Sequence, residues 1–236
     1  MEKQRFDKII SNQFNISRKD ARIAIRRGKG VVDGCVLKDP SQLVDIASEI
    51  VFDGKKLEYK KYVYILMYKP KGVLSASEDK RQKTVVDLVP EEMKRNGLFP
   101  VGRLDKDTTG LLIITDDGDF AHRVITPNKD VDKVYIATLD GAVTKEMEEA
   151  FLKGVVLADG TVCKSAKLEA LADNKAKITI SEGKYHQIKR MFGTVGLGVN
   201  ELERRSIGGL HLPPNMKMGE CKMLNDKEIS LIFSKC

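Results

Sequence analysis

No stretch of this chain is apolar for long enough to cross a bilayer: the longest such run, Tyr62 to Tyr68, falls far short of the roughly 20 residues that a membrane helix needs. The opening residues, MEKQRFDKII, hold no apolar signal core, which argues against export. Cysteine is sparse and scattered. Cys35, Cys163, Cys221 and Cys236 form no CxxC pair and match no histidine pair, so neither a disulfide framework nor a zinc site is indicated, and a reducing cytoplasm is expected. Internal repeats, low-complexity tracts and glycine-rich phosphate loops are also missing. At 236 residues, 42% hydrophobic and 32% charged, the chain is globular, and a small module beside a larger one is expected.

Acidic residues are scarce at the N-terminal end in particular. The net charge is +7, and residues 1–30 hold nine Lys/Arg (Lys3, Arg5, Lys8, Arg18, Lys19, Arg22, Arg26, Arg27, Lys29) against three acids (Glu2, Asp7, Asp20), nearly the whole excess. Such a bias favours a polyanionic partner. Ser17 followed by Asp20 reads as a capping box, predicting a helix that starts at Arg18 and stops at Gly28. On it, Ala21, Ala24, Ile25 and Gly28 share one face and can pack on an earlier helix carrying Phe6, Ile9 and Ile10. Arg18, Arg22 and Arg26 recur every four residues and stack into a ridge, with Lys19 and Arg27 alongside and without acidic i,i+4 partners. A ridge of that kind suits phosphates, although a solvated helix side has the same pattern.

VVDGCVL and IVFDG follow, two β-rich pieces punctuated by Asp33-Gly34 and Asp53-Gly54 turns. Two short helices and a hairpin, with SRKDARIAIRRGKGVVDG at their centre, resemble the S-four-type (alpha-L) RNA-binding module, which implies structured RNA read through its phosphates. The expected module covers residues 1–59, with the polar stretch Gly54 to Tyr62 as linker and a larger module over 60–236.

In the larger module YVYILMY reads as a buried strand broken by the KPKG segment, Lys69 to Gly72. LLIIT, DKVYIATL and KITISEG are further strands, and Thr144 to Lys153, capped by Thr144 and stopped at Gly154, is a helix. Strands outnumber helices without regular alternation, so the expected class is α+β with a mainly antiparallel mixed sheet.

Gly102 to Asp119, GRLDKDTTGLLIITDDGD, crowds five carboxylates around one arginine and an apolar run. Asp105, Asp107, Thr109, Gly110 and Asp116 imitate the spacing of a calcium-binding EF-hand loop, but Pro100 and Gly102 exclude the helix that must precede it, and Leu111 to Ile114 reads as strand. Asp116, Asp117 and Asp119 are simplest as turn and N-cap residues of a helix that ends before Pro127. For Asp105 the residues alone leave a turn former and a catalytic carboxylate both open.

Four segments together resemble the pseudouridine synthases, in the branch similar to the small-subunit ribosomal RNA enzyme. GRLDKDTTGLLIITDDG is similar to that family's signature, KPKG to its first motif, Lys133 to Tyr135 to its tyrosine motif, and EGKYHQIKRMF (Glu182 to Phe192) to its third. The resemblance implies the pseudouridine synthase fold and the conversion of uridine to pseudouridine. The bond between the uracil nitrogen and the anomeric carbon is cut, the base turns, and ring carbon five is joined instead. Such chemistry needs a carboxylate, a basic partner and an aromatic platform, and no metal or organic cofactor.

The correspondence assigns these roles to Asp105, Lys189 and Tyr135, and leaves open whether Asp105 attacks the base, attacks the sugar or removes a sugar proton. Helix geometry agrees for Lys189: Ile188, Met191, Phe192 and Val195 define a buried face, Lys189 lies at its edge, and Arg190 points away, towards RNA. Lysine replaces the arginine common at this position in the wider family, giving a point charge instead of a planar fork. Arg103 is expected to fill the gap left by the flipped uridine or to hold its phosphate, and His186 to contact RNA or to be structural. His122 and His211 are ordinary. The expected partner is ribosomal RNA, as 16S RNA or a small-subunit assembly intermediate, with no membrane, and the expected state is a monomer. The alternatives are a large-subunit 23S target, a non-catalytic ribosome-assembly factor, and a hydrolase using Asp105 with Asp107.

Overall fold

The computed structural model describes residues 2–126 and 131–234. Pro127 and Cys236 lie outside them. Two compact units divide the chain: unit 1 is Met1–Val63 with Glu91–Leu98, and unit 2 is Tyr64–Pro90 with Phe99–Cys236.

In unit 1, strand β1 (Lys3–Arg5) leads straight into helix α1 (Phe6–Gln13), and helix α2 (Arg18–Arg26) follows. Ser17 is the N-cap, its hydroxyl accepting from the Asp20 amide at 3.1 Å, and Gly28 just beyond the helix takes φ +78°. Phe6, Ile9 and Ile10 meet Ala21 and Ile25 in a small core that Val44, Ile50 and Phe52 complete. Strands β2 (Gly30–Val32) and β3 (Cys35–Val36) form a hairpin around Asp33-Gly34, and β4 (Leu43–Asp45) pairs with β1. Strands β5 (Ile50–Phe52) and β6 (Lys55–Lys56) turn at Asp53-Gly54, and both Asp-Gly pairs have positive φ, as tight hairpin turns require.

Gly54 to Tyr62 is therefore not a free linker. Lys55 and Lys56 extend the sheet, and Leu57 and Tyr59 pack against the core. Two apolar side chains were enough to dock a stretch whose composition is polar. The segment Glu91–Leu98, which the sequence groups with the larger module, clusters with unit 1. There Arg95 donates to the carbonyls of Lys60 and Lys61 at 2.7 and 3.0 Å, and the Asn96 amide donates to those of Ser11 and Ile16, both at 3.1 Å.

The arginine ridge has an acidic partner after all, on the other helix. Asp7 is fully buried, and its carboxylate accepts from Arg18 and Arg22, each at 2.7 Å, and from Arg5 at 3.2 Å. Burial alone would push this carboxyl up, but the hydrogen bonds from Arg5, Arg22 and Arg18 outweigh it and hold the group well below the usual carboxylate range. A folded-state value below the unfolded one means that its stabilisation is present above about pH 4 and lost as the pH falls further. Asp7→Asn leaves three guanidiniums around a neutral amide and should cost roughly 3 kcal/mol. Urea denaturation at pH 7 and at pH 3 checks this, with the gap between wild type and variant narrowing in acid.

Unit 2 is built on one nine-stranded sheet. Its elements in chain order are β7 (Tyr64–Lys69), β8 (Phe99–Pro100), β9 (Thr109–Thr115), α3 (Gly118–Ile125), β10 (Lys133–Leu139), α4 (Lys145–Lys153), β11 (Lys167–Ala170), β12 (Lys175–Ile180), α5 (Gln187–Thr194), β13 (Val199–Ile207), β14 (Leu210–His211), β15 (Cys221–Met223) and α6 (Asp226–Leu231). The sheet order is β11-β12-β10-β13-β9-β7-β15, with β8 on β9 and β14 on β13. Only the β13–β9 ladder is parallel among the described residues, so the expected antiparallel-dominated α+β sheet is what forms.

Every residue of β9 is buried, which marks it as a central strand covered on both faces. Leu111 and Ile113 join a cluster with Phe120, Val124, Leu210 and Ile232. Because β8 rather than a helix precedes it and Thr109 already begins β9, the Gly102–Asp119 stretch lacks the entering helix of an EF-hand. Asp117 is the N-cap of α3, accepting from the Phe120 amide at 3.0 Å, and its other oxygen takes the Tyr64 hydroxyl at 2.6 Å.

Strand register sets up the site. Tyr135 of β10 lies opposite Arg204 of β13, and Arg204 lies opposite Gly110 of β9, so the three form one row across the sheet. Glycine is required at 110: its φ is +110°, and a Cβ there would stand 2.2 Å from the Arg204 carbonyl oxygen.

Candidate active site

The loop from Gly102 to Thr108 enters β9 carrying Asp105, and its backbone is gripped from several directions. Lys69, the first residue of KPKG, is fully buried, and its ammonium donates to the carbonyls of Pro70 and Thr108 at 3.0 Å each and of Lys106 at 3.3 Å. Burial pushes that ammonium down to about 8, against the pull of Asp107 and Asp105. The Gly72 amide donates to the Lys106 carbonyl at 2.8 Å. Ser75 closes a two-way bond with Leu104, its hydroxyl donating to the carbonyl at 2.8 Å and accepting from the amide at 3.1 Å. Within the loop the Thr108 amide donates to the Asp105 carbonyl at 3.1 Å. The first motif thus holds the acid-bearing loop by its main chain.

Asp105 opens into a cleft lined also by Arg103, Tyr135, His186 and Lys189, with Ile180 and Leu202 as apolar wall. Its side chain is 26% exposed, and its two oxygens face different partners: His186 Nε2 at 3.5 Å and Lys189 Nζ at 3.8 Å. Helix α5 supplies the lysine from the edge of its buried face, where Ile188, Met191 and Phe192 anchor it, Phe192 with its ring 5.0 Å from that of Phe151. Tyr135 is 8% exposed, a floor rather than a projecting group.

Lys189 differs from expectation in one respect. Its ammonium straddles the Asp107 carboxylate at 2.6 and 2.7 Å, much closer than it stands to Asp105. That hydrogen bond holds the Asp107 carboxyl below its ordinary value despite partial burial. Asp107 is therefore a second ligand of the same cation, not a bare turn residue. The sequence offered Asp107 only as a calcium-loop position or as the second acid of a hydrolase, because a lysine arriving from a distant helix is not written in the loop.

His186 sits nearer the acid than expected of an ordinary RNA contact, and it caps α5 from a left-handed backbone (φ +48°) that aims its ring into the cleft. Arg190 turns away from the cleft as expected, but it is tied down: its guanidinium pairs with Asp159 and also donates to the Tyr185 carbonyl at 3.4 Å. Arg103 reaches the cleft and is exposed.

Arg204 escaped the sequence reading. It is buried, with its guanidinium carbon 6.0 Å from the centre of the Tyr135 ring, its Nε donating to the Leu111 carbonyl at 2.8 Å and Nη1 lying 3.5 Å from the Tyr135 hydroxyl. The signal was parity. Leu202, Arg204 and Ser206 alternate on the inward face of β13, so an inward arginine follows from the period of two.

A carboxylate between a lysine and a histidine, above an aromatic floor and inside a partly closed cleft, fits isomerisation at a nucleoside better than hydrolysis by a carboxylate pair, because the second carboxylate is occupied by the lysine. Residues 63–194 match the family model described as RNA pseudouridylate synthase. The chain belongs to the RNA pseudouridylate synthase family. It is 40% identical over 233 residues to the uncharacterized RNA pseudouridine synthase YtzG of Bacillus subtilis (strain 168), covering 97% of this chain and 98% of that one. It is 36% identical over 230 residues to the ribosomal small subunit pseudouridine synthase A of Escherichia coli (strain K12), covering 97% and 99%. A pseudouridylate synthase crystal structure superposes with a TM-score of 0.69 at 34% identity, covering 97% of this chain and 99% of the other. As an RNA pseudouridylate synthase the chain is an isomerase with that family's fold, and the family match spans KPKG, the Asp105 loop, Tyr135 and Lys189.

Proposed function

We propose that this enzyme isomerises one uridine of small-subunit 16S ribosomal RNA, with Asp105 as the reacting carboxylate, Lys189 as its basic partner and Tyr135 as the surface under the loosened base. The observation that carries this reading is the Asp105 side chain inside the cleft, 3.8 Å from Lys189 and 3.5 Å from His186. Arg103, exposed at the same cleft, is suited to the flipped nucleotide's phosphate or to the gap it leaves. The chemistry calls for no metal or organic cofactor. The small-subunit target draws support from the full-length similarity to the Escherichia coli protein of that name. A monomer acting in the cytoplasm on ribosomal RNA, free or in an assembly intermediate, completes the reading.

Mapping pseudouridine by carbodiimide labelling in ribosomal RNA from cells with and without this gene tests the target. Loss of one small-subunit site supports the reading, loss of a large-subunit 23S site moves the target there, and an unchanged map overturns it.

Unit 1, centred on the stretch that the sequence assigns to residues 1–59, serves in this reading as an S-four-type RNA-binding module, with residues 60–236 as the catalytic domain. Three guanidiniums around the single Asp7 carboxylate leave surplus positive charge on Arg18 and Arg22, and Lys19, Arg26 and Arg27 are exposed beside them. Charge reversal at Lys19, Arg26 and Arg27 spares the Asp7 cluster. It should weaken binding and lower the slope of log affinity against log salt by roughly one for each phosphate that is no longer neutralised. Filter binding across a salt series measures this, and an unchanged slope removes unit 1 from RNA recognition.

A further inference from the structure

Beside the cleft stands an aromatic ring with no structural work to do. Tyr185 is 76% exposed, the most exposed of the large hydrophobic side chains among the described residues. It is not adrift, because its ring stacks on that of His186 with centroids 3.9 Å apart and planes 20° from parallel.

The backbone beneath is built to hold it. Gln187 is buried, accepts from the Lys184 amide at 2.9 Å and donates to Glu182 at 2.8 Å, while Glu182 also accepts from the Lys164 amide at 2.9 Å and pairs with the Lys184 ammonium. Arg190, anchored on Asp159, holds the Tyr185 carbonyl. A fixed, solvent-facing aromatic ring on a rigid loop loses little freedom when a flat partner settles on it.

The second ring of the stack meets the reacting acid at its edge, since His186 Nε2 is 3.5 Å from Asp105. His186 lines the cleft and Tyr185 does not. A base lying against Asp105 is therefore separated from Tyr185 by the imidazole, and a ring on Tyr185 belongs to a different nucleotide. We infer that Tyr185 is a stacking platform for a nucleobase flanking the target uridine, giving a substrate contact outside the reacting cleft. Every base has a π-face, so such a platform selects for an unpaired, splayed neighbour more than for a particular letter.

This rests on the reading of the chain as an enzyme of ribosomal RNA, and the test separates the two. The substrate is an in vitro transcript of small-subunit RNA or, if wild type does not convert it, of large-subunit RNA. Tyr185→Ala should raise KM roughly 5- to 100-fold, as expected for the loss of one stacked base, with kcat and melting temperature little changed. Tyr185→Phe and Tyr185→Trp should restore KM. The chain has no tryptophan, so Tyr185→Trp also introduces a single emitter whose fluorescence should be quenched by the small-subunit transcript, a readout that needs binding and not turnover. An unchanged KM in Tyr185→Ala, a Phe variant as weak as the Ala variant, or emission indifferent to saturating RNA would each overturn the platform. Wild type inactive on both transcripts, free and after assembly with ribosomal proteins, would instead refute the ribosomal target, leaving the fluorescence titration to judge Tyr185.

Discussion

Asp105→Asn should lower pseudouridine formation by at least about a thousandfold, the scale of losing a group that, in the proposed role, acts directly on the reacting atoms. Asparagine keeps the volume of aspartate and its place facing Lys189 and His186, but it has neither the charge nor the basicity that the chemistry needs. The fold should not notice. The loop is held by the carbonyls of Lys106 and Thr108 and by both main-chain groups of Leu104, not by the Asp105 carboxylate. RNA affinity should stay within about threefold, because binding is spread over many phosphate contacts. Tritium release from uridine labelled at carbon five reports turnover, and filter binding on the same preparations reports affinity. Retained turnover refutes the assignment, whereas affinity falling in step with turnover would make Asp105 an anchor for RNA.

Lys69→Met should also be damaging, although the residue is fully buried and does not line the cleft. Methionine fills the space but leaves three carbonyls without their shared donor, costing about 1–3 kcal/mol for each group left unsatisfied. The Asp105 loop then shifts, and a displacement of about 1 Å at a reacting group is enough for roughly a hundredfold loss of kcat. The pH dependence identifies the cause. Burial brings the folded-state ammonium down to about 8 from its ordinary 10.5, so between these values the unfolded chain holds more protons than the folded one. The stability contributed by this group therefore rises with pH across that window, while wild-type activity declines above about pH 8 as the charged anchor is lost. In Lys69→Met both trends should flatten. Denaturation midpoints and single-turnover rates at pH 7 and pH 9.5 measure them, and a variant with wild-type rate and pH profile would show that the grip is dispensable.

What the sequence disclosed follows the range of the interactions involved. Ser17 capping Asp20, the Asp33-Gly34 and Asp53-Gly54 hairpins, and Lys189 at the edge of the Ile188–Met191–Phe192 face are set within a few residues, and each forms as the spacing predicts. The gathering of Arg103, Asp105, Tyr135 and Lys189 in one cleft spans much of unit 2, and it was legible because four motifs occur together in order, whereas the approach of His186 to the acid was not. Nor was long-range pairing. Asp7 reaching Arg18 and Arg22 from another helix and Lys189 closing on Asp107 depend on packing that no local period encodes, and strand parity gives the inward direction of Arg204 but not its pairing with Tyr135. Lys69 was the hardest to read, since lysine is the residue least expected in an interior, and only the three carbonyls around it explain its presence.

Because the acid-bearing loop is clasped by its peptide groups, the exposed side chain of Lys106, whose ammonium donates to the Gln82 side-chain oxygen at 2.7 Å, is an interchangeable fringe on a fixed hoop. Drift or laboratory selection can rewrite that fringe, retuning which RNA contour the enzyme accepts, while the hoop goes on aiming the Asp105 carboxylate into the cleft.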